Sequence, residues 1–170
     1  MRIPVFVSCP TQLNPNQQAS RRTLLAELER YDLEPRAVGR SDYPTLLPLR
    51  EVLILATHCS GAVILGFEQF LATKGMSKRG IKQSERKLEE AKGFPSPWNN
   101  LEAGVLFGLG LPMVVFREEG IEGGVFDHGV TDVFVHKMPR RGMPAAERRA
   151  LSAVMLKWQA GVRRRYYGRP

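Results

Sequence analysis

The residue whose type and position suit chemistry best is Glu102, an acid on a short helix with a clear beginning. Ser96 is a suitable N-cap for that helix, and Pro97 fits its first turn. Because residues three and four apart are neighbours on a helix, Trp98, Asn99 and Glu102 are predicted to project from one side of its first two turns. A carboxylate in that position could stabilise positive charge or act as a nucleophile. The alternative is a solvated acid near the positive end of the helix.

The remaining residues of this helix predict one apolar stripe and two glycine positions without a side chain. The stripe that should face the core consists of Trp98, Leu101, Val105 and Leu109. Gly104 and Gly108 are expected to let another backbone or a ligand come close. Gly110 and Pro112 end the helix, because neither residue continues it.

Length and composition indicate one globular domain over residues 1–170. Hydrophobic residues make up 43% of the chain and charged residues 25%, and no apolar run approaches the roughly 20 residues that cross a bilayer. The first residues lack the features of a signal peptide, so we expect a cytoplasmic protein without a membrane partner. Cys9 and Cys59 lack metal-ligand spacing and are predicted to be buried free thiols.

The formal net charge of +8 is concentrated at the C-terminal end. From Lys137 onward, ten basic residues face one acid, Glu147, which gives +9 and leaves −1 for residues 1–136. This distribution favours oligomer contacts, a partner surface or electrostatic steering over a fold that recognises specific nucleic acid. A solubilising tail is the alternative.

Strand and helix patterns alternate along the chain. Strands are predicted at 3–9, 33–38, 61–67, 112–117 and 132–136, with helices at 14–31 and 46–59, after Ser96, and at 144–167. This alternation predicts an α/β, flavodoxin-like (Rossmann-like) doubly wound parallel sheet of order 2-1-3-4-5. Residues 68–95 are too polar and too long for a simple connection, so they are predicted to be an insertion over the site, with a short helix near 81–91.

In such sheets, ligands bind outside the carboxyl ends of the strands. The loops at that edge are 8–11, 39–43, 67–69 and 118–120. Their candidate binding residues are Ser8, Cys9, Pro10, Arg40, Ser41, Asp42, Tyr43 and Phe67. No GxGxxG, Walker, HExxH or paired CxxC motif is present, and no metal site is expected.

Residues 96–104, Ser-Pro-Trp-Asn-Asn-Leu-Glu-Ala-Gly, are followed by Leu-Pro-Met-Val-Val at 111–115. This arrangement resembles the Trp-x-x-x-Glu helix of TIR domains, in which the glutamate is the catalytic residue of NAD cleavage. It also looks like nucleoside 2-deoxyribosyltransferases, in which the glutamate attacks the sugar C1′. The resemblance spans residues 3–136 and implies N-glycosidic bond cleavage, with Glu102 as the catalytic group.

The resemblance implies NAD or a related nucleotide as substrate, no separate cofactor, and a homo-oligomer. Trp98, with Tyr43 or Phe67, could stack on a base. Asp42 and Asn99 could bind ribose hydroxyls, while Arg40 could bind a phosphate. Two other functions stay open: a catalytically silent nucleotide-binding sensor or adaptor, and a nucleoside 2-deoxyribosyltransferase.

Overall fold

The computed structural model describes residues 2–39 and 47–168. Its strands are β1 (Ile3–Ser8), β2 (Leu33–Arg36), β3 (Ala62–Gly66), β4 (Phe70–Ala72), β5 (Met76–Ser77), β6 (Arg86–Lys87), β7 (Lys92–Phe94), β8 (Met113–Arg117) and β9 (Val135–Lys137). Its helices are α1 (Pro15–Arg30), α2 (Pro48–His58), α3 (Pro97–Gly108) and α4 (Ala145–Tyr167). None of these helices is long and apolar enough to span a membrane.

Five strands form one parallel sheet in the order β2-β1-β3-β8-β9. Counted along the chain without the four short strands between β3 and β8, this order is 2-1-3-4-5. The α/β flavodoxin-like prediction is therefore confirmed. The last strand is shorter and later than predicted, since β9 begins at Val135 and its pairing with β8 runs only from Val135 to Lys137.

The sheet separates two apolar cores, because successive strand residues point to opposite faces. One core contains Val5, Val7 and Leu65 with Leu24 and Leu28 of α1 and Leu151 and Met155 of α4. The other contains Phe6 and Ile64 with Val52 and Leu55 of α2 and Ala103 and Leu106 of α3. Helices α1 and α4 therefore cover one face, and α2 and α3 cover the other.

A buried glutamine, Gln17, links the carboxyl ends of two strands to the start of α1. Asn14 and Gln17 form a reciprocal capping box at the start of α1. The Gln17 amide also donates to the Glu118 carboxylate (3.0 Å) and to the Glu68 carbonyl (3.1 Å). Since Glu68 N–H donates to the same carboxylate at 2.7 Å, the ends of β3 and β8 are held against the start of α1.

The apolar stripe predicted for α3 is only half correct: Val105 and Leu109 pack against the apolar core, whereas Trp98 and Leu101 are exposed. Trp98 is 45% exposed and Leu101 44%, whereas Asn99, Ala103 and Leu106 form the buried face. Both sets of residues fit a helical repeat, so periodicity alone could not choose between them. The small Ala103 lets α3 lie close to the sheet. A Cβ atom at Gly104 or Gly108 would meet nothing within 4 Å among the described residues, so no described backbone makes the close approach predicted there. The approach of a ligand stays a prediction.

The helix predicted at 81–91 is absent from the described structure of the insertion. Strands β4 and β7 pair antiparallel, and β5 and β6 form a second antiparallel ribbon. Within the predicted span, Arg86 and Lys87 are extended in β6 and pair with Ser77 and Met76, which a helix over 81–91 would not allow. The turn of the ribbon before it places Lys78 (φ 50°) and Gly80 (φ 86°) in the left-handed region.

Two arginines near the C-terminal end of α4 form hydrogen bonds that attach this helix to the rest of the domain. Arg163 donates to the Tyr31 carbonyl at 3.0 Å. Arg165 donates to the carbonyls of Leu109 and Gly110, both at 3.0 Å, and so satisfies the C-terminal end of α3. These two arginines have structural partners, whereas Arg164 is exposed.

We expect Arg165→Ala to lower the free energy of unfolding by about 1–3 kcal/mol, because two carbonyls at the end of α3 lose charged donors. Arg164→Ala is the matched control and should change it by less than about 0.5 kcal/mol. Urea unfolding of both variants measures the difference. Equal stabilities would show that the Arg165 contacts do not hold α4.

Candidate active site

A cleft of about 430 Å³ opens at the carboxyl ends of β1 and β3, beside the first turns of α3. Five predicted site residues line it: Cys9, Pro10, Trp98, Asn99 and Glu102. The structure thus brings together the loop after β1 and the predicted face of α3. Ser96 also lines the cleft, and its hydroxyl accepts a hydrogen bond from Trp98 N–H at 3.2 Å, which fixes the start of the helix there.

Glu102 is connected to the sheet through Ser8. The Ser8 hydroxyl is fully buried and accepts a hydrogen bond from Asn99 Nδ2 at 2.8 Å. Because its oxygen is the acceptor in that bond, its single proton is available to the Glu102 carboxylate, with which Ser8 interacts. Asn99 and Ser8 therefore hold one hydrogen-bond donor towards the acid.

Burial raises the pKa of Glu102 from its ordinary 4.5 to about 7, and the hydrogen bond from Ser8 opposes this rise. The desolvated carboxylate is thus poised between its two protonation states near neutral pH. Perturbed acids of this kind concentrate at functional sites.

Among the described residues that line the cleft, Glu102 has the only charged side chain. Every other lining side chain in this part of the structure is uncharged. The carboxylate also forms no ion pair among residues 2–39 and 47–168. A group that carries or develops positive charge in the cleft would therefore be stabilised, and no cation among the described lining residues competes for that position.

The structure bears on three of the predicted binding residues: Trp98, Phe67 and Asn99. Trp98 lines the cleft and is nearly half exposed, so its ring is accessible to a ligand. Phe67 is fully buried in the apolar core, where no base could stack on it, so that prediction is wrong. The Nδ2 group of Asn99 is committed to Ser8, which makes Asn99 a positioning residue for the Ser8 hydroxyl.

Four further predicted site residues lie in the loop after β2. These residues, Arg40, Ser41, Asp42 and Tyr43, are outside the described part of the chain. Val38 and Pro48, the described residues near each end of that stretch, both line the cleft.

Several residues that line the cleft were not predicted from the sequence as site residues. They are Gln12, Val38, Pro48 and Val52, together with Thr11 and Gln69 in loops that the strand-end rule selects. Val52 could have been found only from the packing of α2, because its spacing also suits a core residue. The two glutamines offered no signal beyond their proximity to strand ends.

The cysteines and histidines do not form a second centre in the described parts of the chain. Cys9 and Cys59 are not joined in a disulfide, as predicted, although Cys9 is only partly buried. Within residues 2–39 and 47–168, no group of three His, Cys, Asp or Glu side chains could hold a metal ion. In comparisons with known proteins, no family model matches the chain and no curated protein matches it.

Proposed function

We propose that the protein cleaves or exchanges the N-glycosidic bond of NAD or a related nucleotide, with Glu102 as the catalytic residue. The observation that carries this proposal is the half-buried Glu102 carboxylate, the one charge among the described residues of the cleft. It is supported by the accessible ring of Trp98 beside it and by the position of the cleft at the strand ends.

The charge of the substrate fits this arrangement. In NAD the nicotinamide ring is cationic, and an ionised Glu102 next to the glycosidic bond recovers the electrostatic free energy that burial costs it. When the C1′–N bond breaks, its electron pair leaves with the nicotinamide, which becomes neutral. Positive charge then develops on C1′ and the ring oxygen of the ribose, where the carboxylate stabilises it.

The second half of the reaction needs an acceptor at C1′. Water gives hydrolysis, and a nucleobase gives exchange. Glu102 can act through its charge alone or by forming a transient bond to C1′ that the acceptor then breaks. Stacking of a base on Trp98 and phosphate binding by Arg40 remain predictions.

Ser8 should set the pH dependence of this reaction. Ser8→Ala removes the hydrogen bond that favours the ionised carboxylate, so we expect the acidic limb of the kcat/KM profile for NAD to move to higher pH. Ser60→Ala is the matched control, because Ser60 is equally buried and its hydroxyl has no hydrogen-bond partner in the described structure. Identical profiles for Ser8→Ala and Ser60→Ala would remove Ser8 from the site.

The two other functions are separated by offering the protein several ligands. Release of nicotinamide from NAD supports the proposal. Release of a base from 2′-deoxyribonucleosides, with NAD left intact, would indicate a deoxyribosyltransferase. Tight binding of nucleotides without turnover of any of them would indicate a sensor.

A further inference from the structure

The insertion forms an arm, residues 70–94, whose outer part is strongly basic. Its β5–β6 ribbon and turn, residues 74–87, carry one acid, Glu85, and six cations: Lys74, Lys78, Arg79, Lys82, Arg86 and Lys87. All six cations are exposed. Residues 88–94 add Glu89, Glu90 and Lys92, so the whole arm carries seven cations and three acids, a net charge of +4. The near-zero net charge of residues 1–136 conceals this cluster, because the other acids lie elsewhere in the chain.

The cations of the ribbon have no partner acid among the described residues, whereas Lys92 at the base of the arm pairs with Glu122 at 2.9 Å. None of the six cations forms an ion pair in the part of the chain that the structure describes. The Glu85 carboxylate instead accepts a hydrogen bond from Gly80 N–H at 2.6 Å, and so stabilises the turn of the ribbon. Arg86 donates to the carbonyls of Gln83 and Glu85 within the same turn. The turn is therefore closed by internal hydrogen bonds and presents cations to the solvent.

An aromatic pair lies at the base of the arm. Phe70 and Phe94 are opposite each other in the β4–β7 pair, with ring centroids 6.5 Å apart, and are 65% and 38% exposed. Lys92 lies 5.9 Å from the Phe94 ring centroid. Exposed aromatic rings beside cations are the features on which unpaired bases stack in single-strand-binding proteins.

The arm begins at the cleft. Gln69 lines the cleft, and its N–H donates to the Phe94 carbonyl at 2.9 Å. A ligand that extends from the cleft along the arm would therefore meet the aromatic pair first and the cations of the ribbon next. The six cations outnumber the phosphates of a single dinucleotide, whereas a nucleic-acid strand supplies one phosphate per nucleotide.

We propose that this arm binds single-stranded nucleic acid without sequence preference, through its cations and the Phe70–Phe94 pair. This inference does not depend on the chemistry of Glu102. A membrane surface fits less well, because the described ribbon exposes only two large apolar side chains, Met76 and Ile81, beside its six cations.

The test is the fluorescence anisotropy of labelled oligothymidylate of about 20 nucleotides, titrated with the full chain at several salt concentrations. The triple variant Lys78→Ser, Arg79→Ser, Lys82→Ser should weaken binding at least about tenfold and flatten the salt dependence by about 2 in log–log slope. The matched control, Arg148→Ser, Arg149→Ser, Lys157→Ser, removes three exposed cations from α4 and should leave binding within about threefold.

A second variant separates stacking from charge. Phe70→Ala with Phe94→Ala should weaken binding and leave the salt slope unchanged, since no phosphate contact is lost. Glu102→Gln should bind the oligonucleotide as the wild type does, whether or not the proposed cleavage of NAD is observed.

Equal losses in the two triple variants would show that net charge alone attracts the strand, and would overturn the proposal. An unchanged affinity of the Lys78→Ser, Arg79→Ser, Lys82→Ser variant for the oligonucleotide would also overturn the proposal. If that variant then loses binding to phosphatidylserine-containing vesicles, the arm binds a membrane surface instead.

Discussion

Glu102→Gln is expected to lower the rate of nicotinamide release from NAD by at least about 100-fold. The substitution keeps the shape of the side chain and the hydrogen bond from Ser8, but removes the negative charge that stabilises the ribosyl cation. NAD affinity should also fall, because the charge of Glu102 faces the cationic nicotinamide ring, but it should fall less than the rate, because the stabilisation of C1′ develops only as the bond breaks.

The control for this variant is Glu119→Gln. Glu119 is an exposed carboxylate in the loop after β8, paired at 3.7 Å with Lys137 and absent from the lining of the cleft. It should keep the wild-type rate. If Glu102→Gln retains more than about a tenth of that rate, worth less than about 1.4 kcal/mol in activation free energy, Glu102 is not the catalytic residue.

Glu102→Gln should also make the protein more stable at alkaline pH. The pKa of Glu102 is about 7 in the folded chain, against an ordinary 4.5. Between these values the unfolded chain loses its proton first, so the wild type loses stability as the pH rises from about 4.5 to 7 and no more above that range. A neutral glutamine avoids this loss, and the free energy of unfolding of Glu102→Gln should exceed that of the wild type by up to about 3 kcal/mol at pH 8.

Urea unfolding at pH 4 and at pH 8 measures this effect. The wild type and Glu102→Gln should have nearly the same stability at pH 4, where the acid is protonated in both the folded and the unfolded chain. The Glu119→Gln control should show no such pH-dependent gain, since that carboxylate is exposed. A Glu102→Gln variant that is less stable than the wild type at pH 8 would mean that the carboxylate is well solvated or paired.

The sequence predicted the sheet because its strands are apolar runs separated by helices of suitable length. It also predicted α3 closely, because Ser96, Pro97 and Gly110 mark both ends of that helix. Strand order then placed the loop after β1 beside α3, which is why Glu102, Trp98 and Cys9 were found together.

Which face of α3 is buried could not be predicted from periodicity. Two sets of residues fit the same helical repeat, and the choice depends on how closely Ala103 approaches the sheet. Phe67 was misassigned for a related reason: it follows β3 at the correct edge, but its ring turns into the core. The Ser8–Asn99 hydrogen bond joins residues 91 positions apart, and no local pattern reports such a contact.

The insertion at 68–95 was predicted, but its short strands and its basic cluster were missed, because their signals in the sequence are weak. Strands of two and three residues carry no periodicity, and the charge of the cluster is diluted when residues 1–136 are counted as one body. A count over the 14 residues 74–87 would have found the cluster.

The most direct test of the central claim is a single-turnover reaction with protein in excess over NAD, in which the products are separated after an acid quench. It should be run at several protein concentrations, since the resemblance implies a homo-oligomer. We predict that the wild type releases nicotinamide in one turnover and that Glu102→Gln, with NAD bound, releases none above the uncatalysed background. Intact NAD recovered from the wild type at every concentration would contradict the proposed function.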